Sequence, residues 1–81
     1  MDDAEILDRI HQIVDTERGL RAHLAEDPDD AADTRARMRA LEESLDQCWD
    51  LLRQRRAREE FGEDPAAAQA RPVPEVESYL Q

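Results

Sequence analysis

Apolar residues recur at helical spacing through the first third of the chain. The stripe consists of Ile6, Ile10, Ile13, Leu20 and Leu24. Leu7 and Val14 lie beside the stripe and widen it, which is typical of a helix that buries one face. Asp2 and Glu5 stand three residues apart at its start, the spacing of a capping box. The pattern predicts a helix over residues 3–25.

A second stripe with heptad spacing runs through the middle of the chain. It consists of Met38, Leu41, Leu45, Cys48 and Leu52. Pro28 suits the first turn of a helix, and Gly62 is a typical residue just beyond a helix end. The pattern predicts a second, longer helix over residues 28–61.

The short turn between the two stripes, residues 26–28, predicts an antiparallel, coiled-coil-like hairpin that occupies residues 1–62. If the turn centres near Asp27, opposing residues have numbers that sum to about 52. Ile10 then faces Leu41, and Glu17 comes close to Arg35 as a possible ion-pair partner. The fold class is therefore all-α.

In this register the second helix extends about ten residues beyond the first. The extension contains apolar side chains that the first helix cannot cover, together with exposed arginines. The interaction surface predicted there consists of Trp49, Leu52, Arg53, Arg56 and Phe61.

Residues 63–81 have a different composition from the hairpin. Asp64 and Pro65 can open a short helical turn, and the two prolines of the Arg-Pro-Val-Pro sequence, residues 71–74, favour an extended tail. Val73, Val76, Tyr79 and Leu80 are apolar enough for this tail to pack on the hairpin or on a neighbouring subunit.

Composition limits the size of the core. The chain has 81 residues, of which 40% are hydrophobic and 40% are charged. A core this small indicates that two hairpins associate as a homodimer, giving a four-helix bundle. The residues predicted for the core seam or the dimer contact are Ile6, Leu7, Ile10, Ile13, Val14, Leu20, Met38, Leu41, Leu45 and Cys48, with Leu7 and Val14 assigned to the second interface.

The formal net charge of −10 disfavours nucleic acid and anionic membranes as partners. The N-terminus has neither a basic region nor a long apolar run, so we expect a cytoplasmic protein without a membrane span. We also expect no cofactor and no enzymatic activity, because the serines and histidines do not suggest a nucleophile with its base. The expected partner is another, unidentified protein.

Two alternatives remain open from the sequence. Arg53, Arg55, Arg56 and Arg58 are a candidate site for a nucleotide or nucleic acid, although acidic residues at helical spacing compensate much of their charge. The other alternative is a metal-binding helical bundle that uses a set lying on one helical face. Its weak candidate ligands are Asp8, His11 and Asp15.

Three blocks of the chain carry a resemblance to a known family. They are DDAEILDRIHQIVDTE near the start, LDQCWDLLRQRRA in the middle and RPVPEVESYLQ at the end. Together they resemble a family of short actinobacterial all-helical proteins that is catalogued only as a domain of unknown function. The resemblance implies a small stand-alone helical protein of an intracellular bacterial lineage, and it assigns no activity and no functional residue.

Overall fold

A computed structural model describes residues 1–80, and it describes the side chains of residues 1–78. Helix α1 spans Asp3–Glu26, α2 spans Ala31–Glu60 and α3 spans Val73–Leu80. Single 3₁₀ turns lie at Pro28–Asp30 and Pro65–Ala67. Within the described range no residue is in a β-strand, and α1 and α2 form the predicted hairpin, so the all-α prediction is confirmed.

The ends of α1 follow from local hydrogen bonds. Asp2 Oδ1 accepts from the backbone N–H of Glu5 at 2.8 Å, and the Glu5 carboxylate accepts from the backbone N–H of Asp2 at 3.3 Å. This capping box satisfies donors that the first turn leaves free. The helix ends at Glu26, and the side chain of Asp27 then accepts from the backbone N–H of Asp29, which begins the 3₁₀ turn.

The predicted register between the two long helices is wrong. It would place Trp49 opposite Asp3, whereas Asp3 forms an ion pair with Arg55, more than one helical turn further along α2. The reason is that the segment Pro28–Asp30 forms a 3₁₀ turn and α2 begins only at Ala31. The overhang of α2 beyond α1 is correspondingly shorter than predicted.

The corrected register places the core at the end of the hairpin that is remote from its turn. The core cluster consists of Ile6, Ile10, Ile13, Cys48, Leu51 and Leu52. Leu52 is only 2% exposed, so the sequence-based assignment of Leu52 to an uncovered surface is wrong. Val14, Leu41, Leu45 and Ala68 pack partly buried against this cluster.

The C-terminal segment is not the extended tail that its prolines suggest. It turns once at Pro65–Ala67, and α3 then starts at Val73 and packs on α2. Pro72 and Pro74 lie before the helix and in its first turn, where a missing backbone N–H costs no helical hydrogen bond. Val76 is fully buried. The predicted packing of the Tyr79 and Leu80 side chains lies outside the described residues.

A Schellman motif ends α2. The backbone N–H of Gly62 donates to Glu59 O at 3.2 Å, and that of Glu63 donates to Arg58 O at 2.7 Å. Gly62 has φ +71°, and a Cβ there would meet no atom within 4 Å. The glycine is therefore needed for its backbone conformation alone.

Substituting Gly62 by alanine should lower the free energy of unfolding by about 1 kcal/mol, because a side chain disfavours positive φ. Gly19→Ala is the matched control, since Gly19 lies inside α1 with open space around it. That substitution should raise stability by up to about 1 kcal/mol. Urea denaturation at one fixed protein concentration measures both, and a loss of stability in both variants would contradict the assignment.

The molecule is elongated. The radius of gyration of its Cα atoms is 15.2 Å, whereas a compact domain of this length has roughly 12 Å. An elongated hairpin leaves much of each helix without a neighbour. In the part of the chain that is described, no helix is both long and apolar enough to cross a membrane.

Candidate interaction surface

The C-terminal segment packs along α2, and neither its 3₁₀ turn nor α3 contacts α1. It therefore borders one side of the hairpin. We call this the tail face. A groove of about 250 Å³ on this face is lined by Arg9 from α1, by Cys48 and Leu51 from α2, and by Ala70 from the C-terminal segment, among others. Residues 64–80 therefore lie along this flank of α2 and help to close the end of the core.

Polar side chains of α2 hold the C-terminal segment on the tail face. Gln47 Nε2 donates to Arg71 O at 3.0 Å, and Gln54 Nε2 donates to Gln69 O at 2.7 Å. Asp50 is 3% exposed, accepts from Gln54 at 2.9 Å and lies 3.5 Å from the Arg71 guanidinium. These bonds replace the water that would otherwise solvate the buried groups.

Sequence reasoning missed these three α2 residues. Gln47, Asp50 and Gln54 are spaced by three and four residues, so they form a polar stripe on the flank of α2 away from its apolar seam. The signal in the sequence was a stripe of side chains that can form hydrogen bonds with the backbone of another segment. It was hidden because solvent-exposed helices carry similar polar stripes.

The opposite side of the hairpin is uncovered, and we call it the open face, defined by Leu7, Val14, Met38 and Trp49. Leu7 lies two residues before Arg9 and is thus about 160° from it around the axis of α1. Trp49 follows Cys48 on the flank away from Asp50. Leu7 is 39% exposed and Trp49 is 42% exposed.

A second groove continues the open face toward the turn of the hairpin. Its volume is about 280 Å³, and it is lined by Leu24, Arg35, Met38, Arg39 and Glu42. Charges of both signs thus surround an apolar floor. This combination suits a protein surface better than a polyanion, which would favour basic groups alone.

The five residues of the predicted interaction surface are separated by the fold. Trp49, Arg53 and Arg56 are exposed on α2, whereas Leu52 is buried in the core. Phe61 is 80% exposed, but it lines a different groove, together with Gln54, Arg58 and Arg71. Trp49 is therefore the one apolar member that remains on the open face.

The residues predicted for the seam or dimer contact fall into three groups. The structure buries Ile6, Ile10, Ile13 and Cys48. It leaves Val14, Leu20, Met38, Leu41 and Leu45 half-buried, and Leu7 exposed. The half-buried members lie mostly toward the turn, where α1 and α2 have only each other to pack against.

Glu17 interrupts the apolar stripe of α1 and is 8% exposed. It forms an ion pair with Arg21 of the same helix at 2.9 Å, so the predicted pairing with Arg35 is wrong. The changed register accounts for this, since Arg35 lies in the groove beside Met38. An i,i+4 pair needs no cross-helix partner.

The arginine cluster is also divided. Arg55 forms an ion pair with Asp3 and donates from Nη1 to Met1 O at 2.8 Å. The hydrogen bond to Asp3 is the largest cause that raises the pKa of Arg55 above its usual value. Arg58 contacts Glu63 at 3.3 Å. Two of the four guanidinium groups thus tie parts of the chain together, which weakens the case for a site that binds a nucleotide or nucleic acid.

The weak metal candidates Asp8, His11 and Asp15 are exposed on α1. Asp8 accepts a hydrogen bond from Gln12 at 3.2 Å. Across the described part of the chain, no group of three or more His, Cys, Asp or Glu side chains is arranged to hold a metal ion. Nothing in their placement supports a metal centre.

Residues 2–81 match the family described as "Protein of unknown function (DUF2630)". The chain belongs to this family. Two relatives are "Uncharacterized protein Rv0898c" of Mycobacterium tuberculosis and "Uncharacterized protein Mb0922c" of Mycobacterium bovis. Each is 44% identical over 77 residues, covering 95% of this chain and 88% of the relative. The predicted membership in a short actinobacterial family of unknown function is thereby supported.

No solved structure matches the chain. The DUF2630 membership extends over both the hairpin and the C-terminal segment, so the two parts belong to one family unit.

Proposed function

We propose that this protein is a noncatalytic interaction module whose open face pairs with the open face of a second copy, giving a homodimeric four-helix bundle. The observation that carries the proposal is the exposure of Leu7 and Trp49 on the open face, which the groove beside Met38 continues. We assign the contact with a second hairpin to this face because it carries two exposed large apolar side chains.

A second copy fits this face in two respects. An isologous interface must complement itself, and the groove beside Met38 carries both basic and acidic groups, Arg35 and Glu42 among them. A second hairpin would also supply an apolar stripe to the half-buried residues near the turn. The burial of these side chains is incomplete in a two-helix arrangement, because no third helix packs on them there.

The proposed module acts through binding and not through chemistry. Two arginines are paired within the chain, Arg55 with Asp3 and Arg71 with Asp50. The partner of the assembled dimer is proposed to be another protein, with Arg53 and Arg56 at the edge of the open face as its contact points.

Sedimentation equilibrium tests the dimer. The chain has a mass of 9.3 kDa, and we expect the fitted mass to rise to twice this value as the protein concentration increases. A mass that remains that of one chain up to about millimolar concentration, where even weak association is seen, would contradict the proposal.

A further inference from the structure

The flank of α2 that belongs to the open face carries charges of both signs near the turn of the hairpin. Arg35, Arg39 and Glu42 are exposed there and line the groove beside Met38. Among the described residues, none of these three side chains has an ion-pair partner. Two basic groups followed by one acidic group on one helix can be matched by a reversed copy of the same helix.

The same half of the hairpin also offers apolar surface for a contact. Leu24 and Met38, on the floor of the groove, are only half-buried, whereas the buried core lies toward the other end of the hairpin. Removing the rest of this apolar surface from water favours association at this level of the hairpin. The turn half of α2 therefore supplies both the apolar floor and the charges of a self-complementary contact.

We propose that the two copies pack with their turns at opposite ends, so that Glu42 of each copy lies between the partner's Arg35 and the partner's Arg39. This inference rests on the proposed dimer and specifies which residues of the second copy complete the open face. In this arrangement α2 runs antiparallel to α2 of the partner, and the two-fold axis passes α2 close to Arg39. The same pairing is then formed twice, once on each side of the axis.

The other symmetric arrangement, with both turns at the same end, does not form this contact. It sets α2 against α1 of the partner at the same level of the bundle. Because Asp3 pairs with Arg55 within one hairpin, equal rise along both helices puts Arg39 of α2 at the level of Arg18 and Arg21 of α1. Both of these α1 residues are exposed. Turns at the same end thus bring basic groups together, whereas turns at opposite ends bring opposite charges together.

The opposite-end arrangement also gives Trp49 a contact in the partner. With Glu42 midway between the two arginines, facing residues of the two α2 helices have numbers that sum to about 79. Trp49 then lies beside the 3₁₀ turn of the partner, which is formed by a proline and two aspartates. The indole N–H is a donor that suits these carboxylates. Phe61 lies beyond the end of the partner and outside the overlap of the two copies.

Charge exchange between two separately prepared full-length chains tests this orientation. One variant is Glu42→Arg, and the other combines Arg35→Glu with Arg39→Glu. Each variant alone places like charges at both symmetric contacts, so at low salt it should dimerise at least about tenfold more weakly than wild type. An equimolar mixture restores opposite charges at both contacts. Its apparent dissociation constant, measured by sedimentation equilibrium, should return to within a few-fold of the wild-type value.

Arg37→Glu is the matched control, because Arg37 is an exposed arginine of the same part of α2 that lines a groove on the other flank, with Leu20 and Ser44. It should leave the dissociation constant within a few-fold of wild type. If wild type forms a dimer but the variants dimerise as tightly as it does, or the mixture is no tighter than the separate variants, the opposite-end arrangement is overturned while the dimer stands. A wild-type chain that stays monomeric overturns the dimer and this arrangement together.

Discussion

Replacing Leu52 by alanine should lower the free energy of unfolding by about 3 kcal/mol, the usual cost of removing a large side chain from a packed core. Leu52 is 2% exposed and packs in the cluster with Ile6 and Ile10. Small domains of this length have roughly 4 to 12 kcal/mol of total stability, so the loss would be a large share of it. Urea denaturation, followed by helical circular dichroism at a fixed protein concentration, measures the effect.

This prediction separates the observed register from the one that the sequence suggests. In the predicted register Leu52 belongs to an uncovered surface, where the same substitution would change stability by no more than about 0.5 kcal/mol. Phe61→Ala is a suitable control, because Phe61 is 80% exposed and should show only that small effect. Equal losses in the two variants would be incompatible with the core described above.

Replacing Trp49 by glutamate should weaken dimerisation about a hundredfold or more, because a buried tryptophan commonly dominates an interface and a charge in its place must be desolvated. In a symmetric dimer the substitution is present in both copies, which increases its effect. Trp49 is 42% exposed in the single chain, so the fold itself should tolerate the change. Sedimentation equilibrium gives the dissociation constant of each variant.

Phe61→Glu makes the same kind of change, from an aromatic residue to a glutamate, away from the open face. Phe61 lies in the groove with Arg58 and Arg71. It should leave the dissociation constant within a few-fold of wild type, since rim charges contribute little. A dimer that tolerates Trp49→Glu, or that is weakened equally by both variants, would exclude the open face as the interface.

Much of the architecture could be predicted because it depends on local patterns. The capping box of Asp2 and Glu5, the stripe that includes Ile6 and Ile10, and the glycine after α2 each act within a few residues. Periodicity and cap chemistry specify such features directly. The identity of the two long helices therefore follows from the sequence.

The register between α1 and α2 could not be predicted from the sequence, because it depends on the path of the turn that joins them. A 3₁₀ turn at Pro28–Asp30 moves the start of α2 to Ala31, and this small change shifts every facing pair along the hairpin. Leu52 consequently changes from an overhanging residue to a core residue. Arg55 changes from one member of a basic cluster to the partner of Asp3.

The structure of the C-terminal segment was also beyond the reach of local reasoning. Two prolines around Val73 disfavour a helix interior, yet they are compatible with a helix start, and only contact with α2 decides between these outcomes. Only part of the interaction surface could be predicted from the sequence. Trp49 and Leu7 could both be assigned to a surface from the sequence, whereas the burial of Leu52 depends on the register.

If the open face is buried between two copies, as proposed, the single tryptophan of the chain reports this directly. Acrylamide quenching of Trp49 fluorescence should be measured over the concentration range in which sedimentation shows the mass doubling. We expect the quenching constant to fall as the dimer forms and Phe61→Glu to behave in the same way as wild type. A quenching constant that remains unchanged while the mass doubles would place the dimer contact away from the open face.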